Sequence, residues 1–408
     1  MTEHDLGLKV MSRRLLWRMG FSTRVDVPLR AFVPTGDRRR TRYESFTDLD
    51  VLGVMATGGF DLHRVIADCK TSVRGSTERM FWIRGVADFF AADSAWMVRS
   101  SGVTAAARQL SARLGISVIE QNDLSILEGH HPTDLQLVEG PLSLLFDVEA
   151  VGRYVKSFSA LDKKLINLVE YRQFDYWVYD EHRNLLQVVA HLREVSEVLD
   201  PTHPAHRALF YESAWLYTLS LAQAAAYVRA AHVTAADTAL QEYLFGGQIA
   251  LQEKQRLATL LQKLAPKGGV GSGAGVLPEW YPQLLELLTR HLRRPYVLNS
   301  ELRYAEWLAE AQQAKLDVTV SSVFGGEFDP VAAKLLADVC GFLVTMAKLD
   351  PEFRARARMA LAQPGGADEL ASREVSREKE GRRDSIGGRD DEQVIEKPDG
   401  DSSQNRLL

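Results

Sequence analysis

The chain has 408 residues, of which 46% are hydrophobic and 25% charged, with a net charge of −5. This is an ordinary soluble composition, long enough for two or three domains. A secretory or membrane-spanning chain is not expected: the opening "MTEHDLGLKVMSRRLLWRMG" breaks any apolar stretch with charge, and the longest mostly apolar run, Ser213 to Val228, falls short of the roughly 20 residues a spanning helix needs. Cys69 and Cys340 lie in unrelated contexts, so a reduced, cytoplasmic setting is expected rather than a disulfide framework.

In chain order, apolar residues at helical spacing (Leu8, Met11, Leu15, Leu16, Met19) predict a helix over 8–19, with Gly20 where a C-cap would sit. Extended, β-rich segments follow at 24–33, 46–56 and 63–69, separated by an Arg-rich loop and by the turn-forming "TGGFD". A helix capped by Ser76 or Thr77 presents Met80, Ile83, Val86 and Phe90 on one face. A strand at 95–98, a Thr104-capped helix closed by Gly115 and a strand at 116–119 complete a mixed α/β domain over 1–128. The segments 147–171, 177–199, 205–231 and 236–264 are then rich in Leu, Ala, Glu, Arg and Gln at helical spacing, which predicts an all-α domain over 129–264. Residues 265–278 read as a Gly-rich linker without the Gly-Lys-Ser/Thr of a phosphate loop, and 279–362 as further helix. The charged tail 363–408 has no aromatic residue and is expected to be disordered.

Charge is unevenly placed. Residues 1–128 hold 18 Lys and Arg against 15 Asp and Glu, leaving 31 against 39 for the remainder. Arg38, Arg39, Arg40 and Arg42 form a basic run that suits a polyanion, although a solvated loop carries such a run as readily.

The chemistry concentrates in "FTDLDVLGVMATGGFDLHRVIADCKTS", residues 46–72. Side chains alternate along a strand, so Asp68 and Lys70 share one face while Cys69 turns to the other. Asp48 and Asp50 likewise share a face, and a hairpin across the glycines brings one of them towards Asp68. Neighbouring carboxylates repel unless a cation lies between them, and oxygen donors suit Mg²⁺ or Mn²⁺. A lysine beside such an ion would act on the attacking water and on charge developing at a phosphate. The competing reading of Asp-x-Lys is a solvated edge pair; the apolar surroundings argue against it.

With these pieces in view, the sequence resembles the PD-(D/E)XK nuclease superfamily, and in particular its Mrr-like restriction endonuclease branch. The resemblance rests on "GFSTRVDVPL", "TDLDVLGV", "VIADCKTS" and "RGVADFFAADSAWMVRSSGVTAAARQLSARLGISVIE", covering about residues 8–125. It implies a restriction-endonuclease-like core, a mixed central sheet flanked by helices. It also implies that Asp50 and Asp68 bind the ion with the Cys69 backbone carbonyl, and that Lys70 acts on the attacking water. Many relatives carry an acid in the first helix; Leu8 and Lys9, where it is expected, are not acidic, and Glu3 and Asp5 lie nearer the terminus than that place.

Arg38, Arg39, Arg40, Arg42, Arg74, Arg79, Arg84 and Arg99 are candidate DNA-phosphate contacts, although a solvent-facing charge is the competing reading for any one of them. Phe81, Trp82, Phe89 and Phe90 read as core rather than base-stacking platforms, and His130 and His131 as loop. No Gly-x-Ser-x-Gly elbow or paired Cys-x-x-Cys motif is present, which removes the commonest serine-hydrolase and zinc-finger readings. The leading expectation is a Mg²⁺- or Mn²⁺-dependent DNA endonuclease of restriction or genome defence. A homodimer through the helical region would supply the second active site that a double-strand break requires. The alternatives are a catalytically inactive nuclease-fold module that binds DNA or a partner, and a repair or recombination nuclease.

Overall fold

The computed structural model describes residues 3–34, 41–71, 76–178, 180–231, 235–264 and 277–363. The expected linker 265–278 (apart from its last two residues) and the tail beyond 363 lie outside them, as do Arg38, Arg39, Arg40 and Arg74.

Helix α1, Glu3–Arg18, leads into strands β1, Ser22–Pro34, β2, Thr41–Ala56, and β3, Leu62–Lys70. Then come α2, Ser76–Phe89, β4, Ser94–Arg99, α3, Ala105–Leu114, β5, Ile116–Glu120, and α4, Gln121–Gly129. The strands form one sheet in the order β1-β2-β3-β4-β5. The first three pair antiparallel and the last three parallel. A meander costs only short turns, whereas each parallel step needs a crossover, which α2 and α3 provide. The α3 caps are those expected: Thr104 Oγ1 accepts from the Ala107 N–H at 3.2 Å, and Gly115 ends the helix at φ 65°.

Both faces of the sheet are covered. Leu8, Leu15 and Leu16 of α1 and Leu124 of α4 pack on Val51, Val65, Ala67 and Cys69. On the other face Met80 and Ile83 of α2 and Ala107 of α3 join Leu52, Ile66 and Met97. The first face is tight at Gly53, where a Cβ would meet Leu16 and Phe21 carbons at 3.2 Å.

Several expected boundaries move. The α1 helix begins five residues earlier than periodicity indicated, so Asp5 is helical. The span 147–171 is not one helix: Val148–Ser157 ends in 3-10 turns before Ile166–Glu170, and Asp162 Oδ1 accepts the Lys164 N–H at 2.8 Å to start a new turn. Within 177–199 the regular helix is Asn184–Glu194. Gly246 and Gly247, at φ 82° and 114°, split 236–264 into Ala236–Phe245 and Gln248–Leu264, because β-carbons disfavour that backbone region. Helices Pro204–Ala231 and Leu298–Gln313 lie against each other at the centre of the helical region. Among the described residues, Pro330–Ala347 is the one helix long and apolar enough to cross a membrane, and most of it is buried in the core.

Residues Met1–Gln363 pack as one compact unit, so the boundary expected at 128 marks a change of secondary structure and not a break in the core. Fully buried Glu306, on Leu298–Gln313, explains why. Its Oε1 accepts from Arg13 Nη2 at 2.7 Å and from Thr23 Oγ1, and its Oε2 accepts from Trp17 Nε1 at 3.1 Å and from Ser22 Oγ and the Thr23 N–H at 2.9 Å. Arg13 also reaches Glu310 at 2.5 Å. A second junction is Glu212 on Pro204–Ala231, which holds Arg24 of β1, Arg172 and Tyr154. Burial acts to raise the Glu212 pKa, but Arg24 and Arg172 hold it below its ordinary value.

Candidate active site

Polar side chains gather where α1 crosses the middle of β1 and β2. Asp50 is buried, with its neighbours along β2 in the apolar core. Its Oδ2 accepts the Cys69 N–H at 2.7 Å and lies 3.6 Å from Lys70 Nζ. In an extended strand the N–H and C=O of one residue point to the same side, so the Cys69 carbonyl also faces β2. The Cys69 thiol instead faces α1, 3.4 Å from Ser12 Oγ. Burial, and next the Asp50 charge, push its pKa up, so it remains a thiol.

The opposite oxygen, Asp50 Oδ1, lies 2.7 Å from Lys9 Nζ. Lys9 also pairs with Asp26 and lies 4.0 Å from Asp48 Oδ2. Asp26, Asp48 and Asp50 can each direct a carboxylate oxygen to within 4.8 Å of the others. Asp26 takes part from a left-handed backbone, φ 56°, in mid-strand. Aspartate tolerates that region better than most residues, at a cost on the order of 1–3 kcal/mol, and such strain concentrates at functional sites. Burial raises the Asp26 pKa, Lys9 opposes the rise, and Asp50 and Asp48 add to it. Burial also works against the Lys9 charge, but Asp50 and Asp26 hold the lysine pKa above its ordinary value.

Asp68 meets different partners. Its carboxylate takes a two-pronged contact from Arg79 of α2, with Nη2 2.6 Å from Oδ1 and Nε 3.2 Å from Oδ2, while Arg99 Nη2 lies 3.4 Å from Oδ2. The Arg79 guanidinium lies 3.5 Å from the centre of the Trp82 ring. Asp5 of α1 reaches the residue after Lys70: its Oδ1 accepts from the Thr71 N–H at 3.2 Å and from Thr71 Oγ1 at 2.9 Å.

The structure thus joins Asp50 with Lys70 and with the Cys69 backbone, and it joins Asp68 to two arginines. The carboxylates clustered with Asp50 are Asp26 and Asp48; Asp68 is not one of that group. Of the candidate phosphate contacts, Arg84 is exposed on α2 and pairs with Asp88 one turn on. Of the aromatics expected in the core, Phe90 is buried, whereas Phe81 and Phe89 are each 59% exposed. Sequence reasoning passed over Asp26, whose carboxylate a regular alternating strand would not direct into this group; it set Asp5 aside as too near the terminus and noted Lys9 only as not acidic. The signal for the latter two was their spacing: Asp5, Lys9 and Arg13 recur every four residues and form one polar stripe on α1. Comparison with protein-family models, curated proteins and solved structures finds no match for this chain.

Proposed function

We propose that this protein is a metal-dependent nuclease that hydrolyses DNA phosphodiester bonds. The observation that carries the reading is the convergence of Asp50 and Lys70, 3.6 Å apart on adjacent strands, beside two further carboxylates. The mixed sheet flanked by helices supports it, because the nuclease resemblance implies a core of that kind. An all-oxygen donor set suits a hard ion such as Mg²⁺ or Mn²⁺. Asp50 with Asp26 and Asp48 would hold it, aided by the Cys69 carbonyl. Such an ion supplies Lewis acidity to a phosphoryl oxygen and makes water a stronger acid. The chain's own groups do the rest. Lys70 places a positive charge where the phosphate gains negative charge, Asp50 orients Lys70, and exposed Asp48 leaves the group open to solvent. The resemblance points to restriction or genome defence as the setting.

A second reading, a nuclease-fold module without activity, is favoured by one specific feature. The Lys9 ammonium already offsets one of the three negative charges that would hold the ion. Incubation of the purified protein with plasmid and Mg²⁺ separates the two. Nicked or linear product supports the nuclease. Intact methylated, unmethylated and branched DNA, with binding retained, transfers the assignment to the module.

A further inference from the structure

Lys70 and Arg99 are the last residues of parallel strands β3 and β4 and stand opposite each other in the register. Ligands of open α/β sheets bind outside the carboxyl ends of such strands. At this end two guanidinium groups flank one carboxylate, Asp68, leaving a net positive charge. Arg99 is 3% exposed, and among the described residues its Nη2 meets Asp68 while Nε and Nη1 lack a hydrogen-bond partner. Buried, unsatisfied donors on a charged group are costly and call for an explanation, of which an absent anionic ligand is one. Arg79 brings the accessible edge. Its side chain is 31% exposed, and its plane is fixed by Asp68 on one side and the Trp82 ring on the other. Arg79 also lies in the first turn of α2, where the helix dipole favours an anion.

We propose that Arg79 and Arg99 form a fork for a phosphodiester of the DNA backbone next to the reacting one, and that Asp68 orients this fork instead of binding the metal ion. The assignment rests on the nuclease reading for its ligand, but its chemistry is separate. Guanidinium groups match phosphate oxygens in pairs; Arg79 supplies the exposed edge, and Arg99, whose Nε and Nη1 are buried, adds its charge from behind it.

The test is anisotropy of a fluorescein-labelled DNA duplex with wild-type protein in EDTA across a salt series, beside Arg79→Met and Arg99→Met. Each phosphate contact contributes about 0.9 to the slope of log affinity against log salt. Each variant is expected to lower the slope by about one contact and to weaken binding equally for unrelated sequences. Arg79→Met, altering a partly exposed side chain, serves should Arg99→Met fail to fold. Wild-type slope and affinity in the folded variants would overturn the fork. Cleavage is scored separately with Mg²⁺: a reduced slope without cleavage by any protein keeps the fork and removes the nuclease, whereas cleavage with an unchanged slope does the reverse. Calorimetry with Mn²⁺ tests the orienting role. Asp68→Asn is expected to change Mn²⁺ affinity less than tenfold, below the roughly 10–100-fold cost of losing even a partner of a metal ligand; a larger loss would return Asp68 to the metal site.

Discussion

Replacing Glu306 with glutamine tests whether the sheet and the helical region are held together by one buried carboxylate. Glu306 accepts five hydrogen bonds from α1 and the start of β1. Glutamine keeps the shape and one acceptor oxygen, which can serve Trp17, Ser22 and the Thr23 N–H. Its amide nitrogen then faces Arg13 Nη2, donor against donor. Hydrogen bonds to a charged group contribute roughly 1.5–3 kcal/mol each, and breaking a buried ion pair costs roughly 3–5 kcal/mol. Arg13 retains Glu310 at 2.5 Å, which places Glu306→Gln at the lower end, about 3 kcal/mol. With a urea dependence of about 3 kcal/mol per molar, the unfolding midpoint falls by about 1 M, read by circular dichroism and by tryptophan fluorescence. Glu286→Gln, which removes an exposed pair with Arg290, is the control and shifts stability by less than about 0.5 kcal/mol. A Glu306→Gln midpoint within about 0.3 M of wild type would refute the reasoning, because the lost charge and its contact with Arg13 would then contribute less than one ordinary hydrogen bond.

Two further outcomes follow from the same structure. Mn²⁺ at a hundred times its dissociation constant stabilises the wild type by about 2.7 kcal/mol, and Asp50→Asn abolishes that gain in a thermal melt, whereas equal stabilisation of both proteins would place the ion elsewhere. Buried Asp175, whose Oδ1 has no hydrogen-bond partner among the described residues, has its pKa raised to about 6 by burial and then by Glu170. An acid with a raised folded-state pKa keeps its proton after the unfolded chain has lost it, so stability falls as pH rises from about 4 to about 6 and levels off above. Asp175→Asn is expected to remove that slope and to gain up to about 3 kcal/mol at neutral pH; an unchanged pH profile of stability would count against it.

The sheet was legible because its signals are local. Alternation in 46–56 and 63–69, the Gly58–Gly59 turn and the Thr104 and Gly115 caps need no tertiary information, and the strands and α3 form where these predict. The helical region was legible in composition but not in its breaks. Asp162 and the paired glycines 246–247 interrupt apolar patterns that read as continuous. At the site, alternation placed Asp68 and Lys70 on one face, but it could not say which cations come from elsewhere in the chain. Arg79 and Arg99 reach Asp68 from α2 and β4, and Lys9 reaches Asp50 from α1. Such pairings depend on how helices pack across the sheet. Asp26 was hidden for a different reason: a left-handed residue in mid-strand breaks the alternation on which the reading rested.

The central claim is that Asp50 and Lys70 act together, with a divalent ion, on a DNA phosphodiester. It is tested most directly by following plasmid conversion with Mg²⁺ or Mn²⁺ for wild type, Asp50→Asn and Lys70→Ala, each shown to be folded by circular dichroism. The account predicts nicked or linear product from wild type and a loss of at least about a hundredfold in rate for both variants, the scale expected on removing a group that stabilises the transition state. Undiminished cleavage by either folded variant, or none by wild type on methylated, unmethylated and branched DNA, would contradict it.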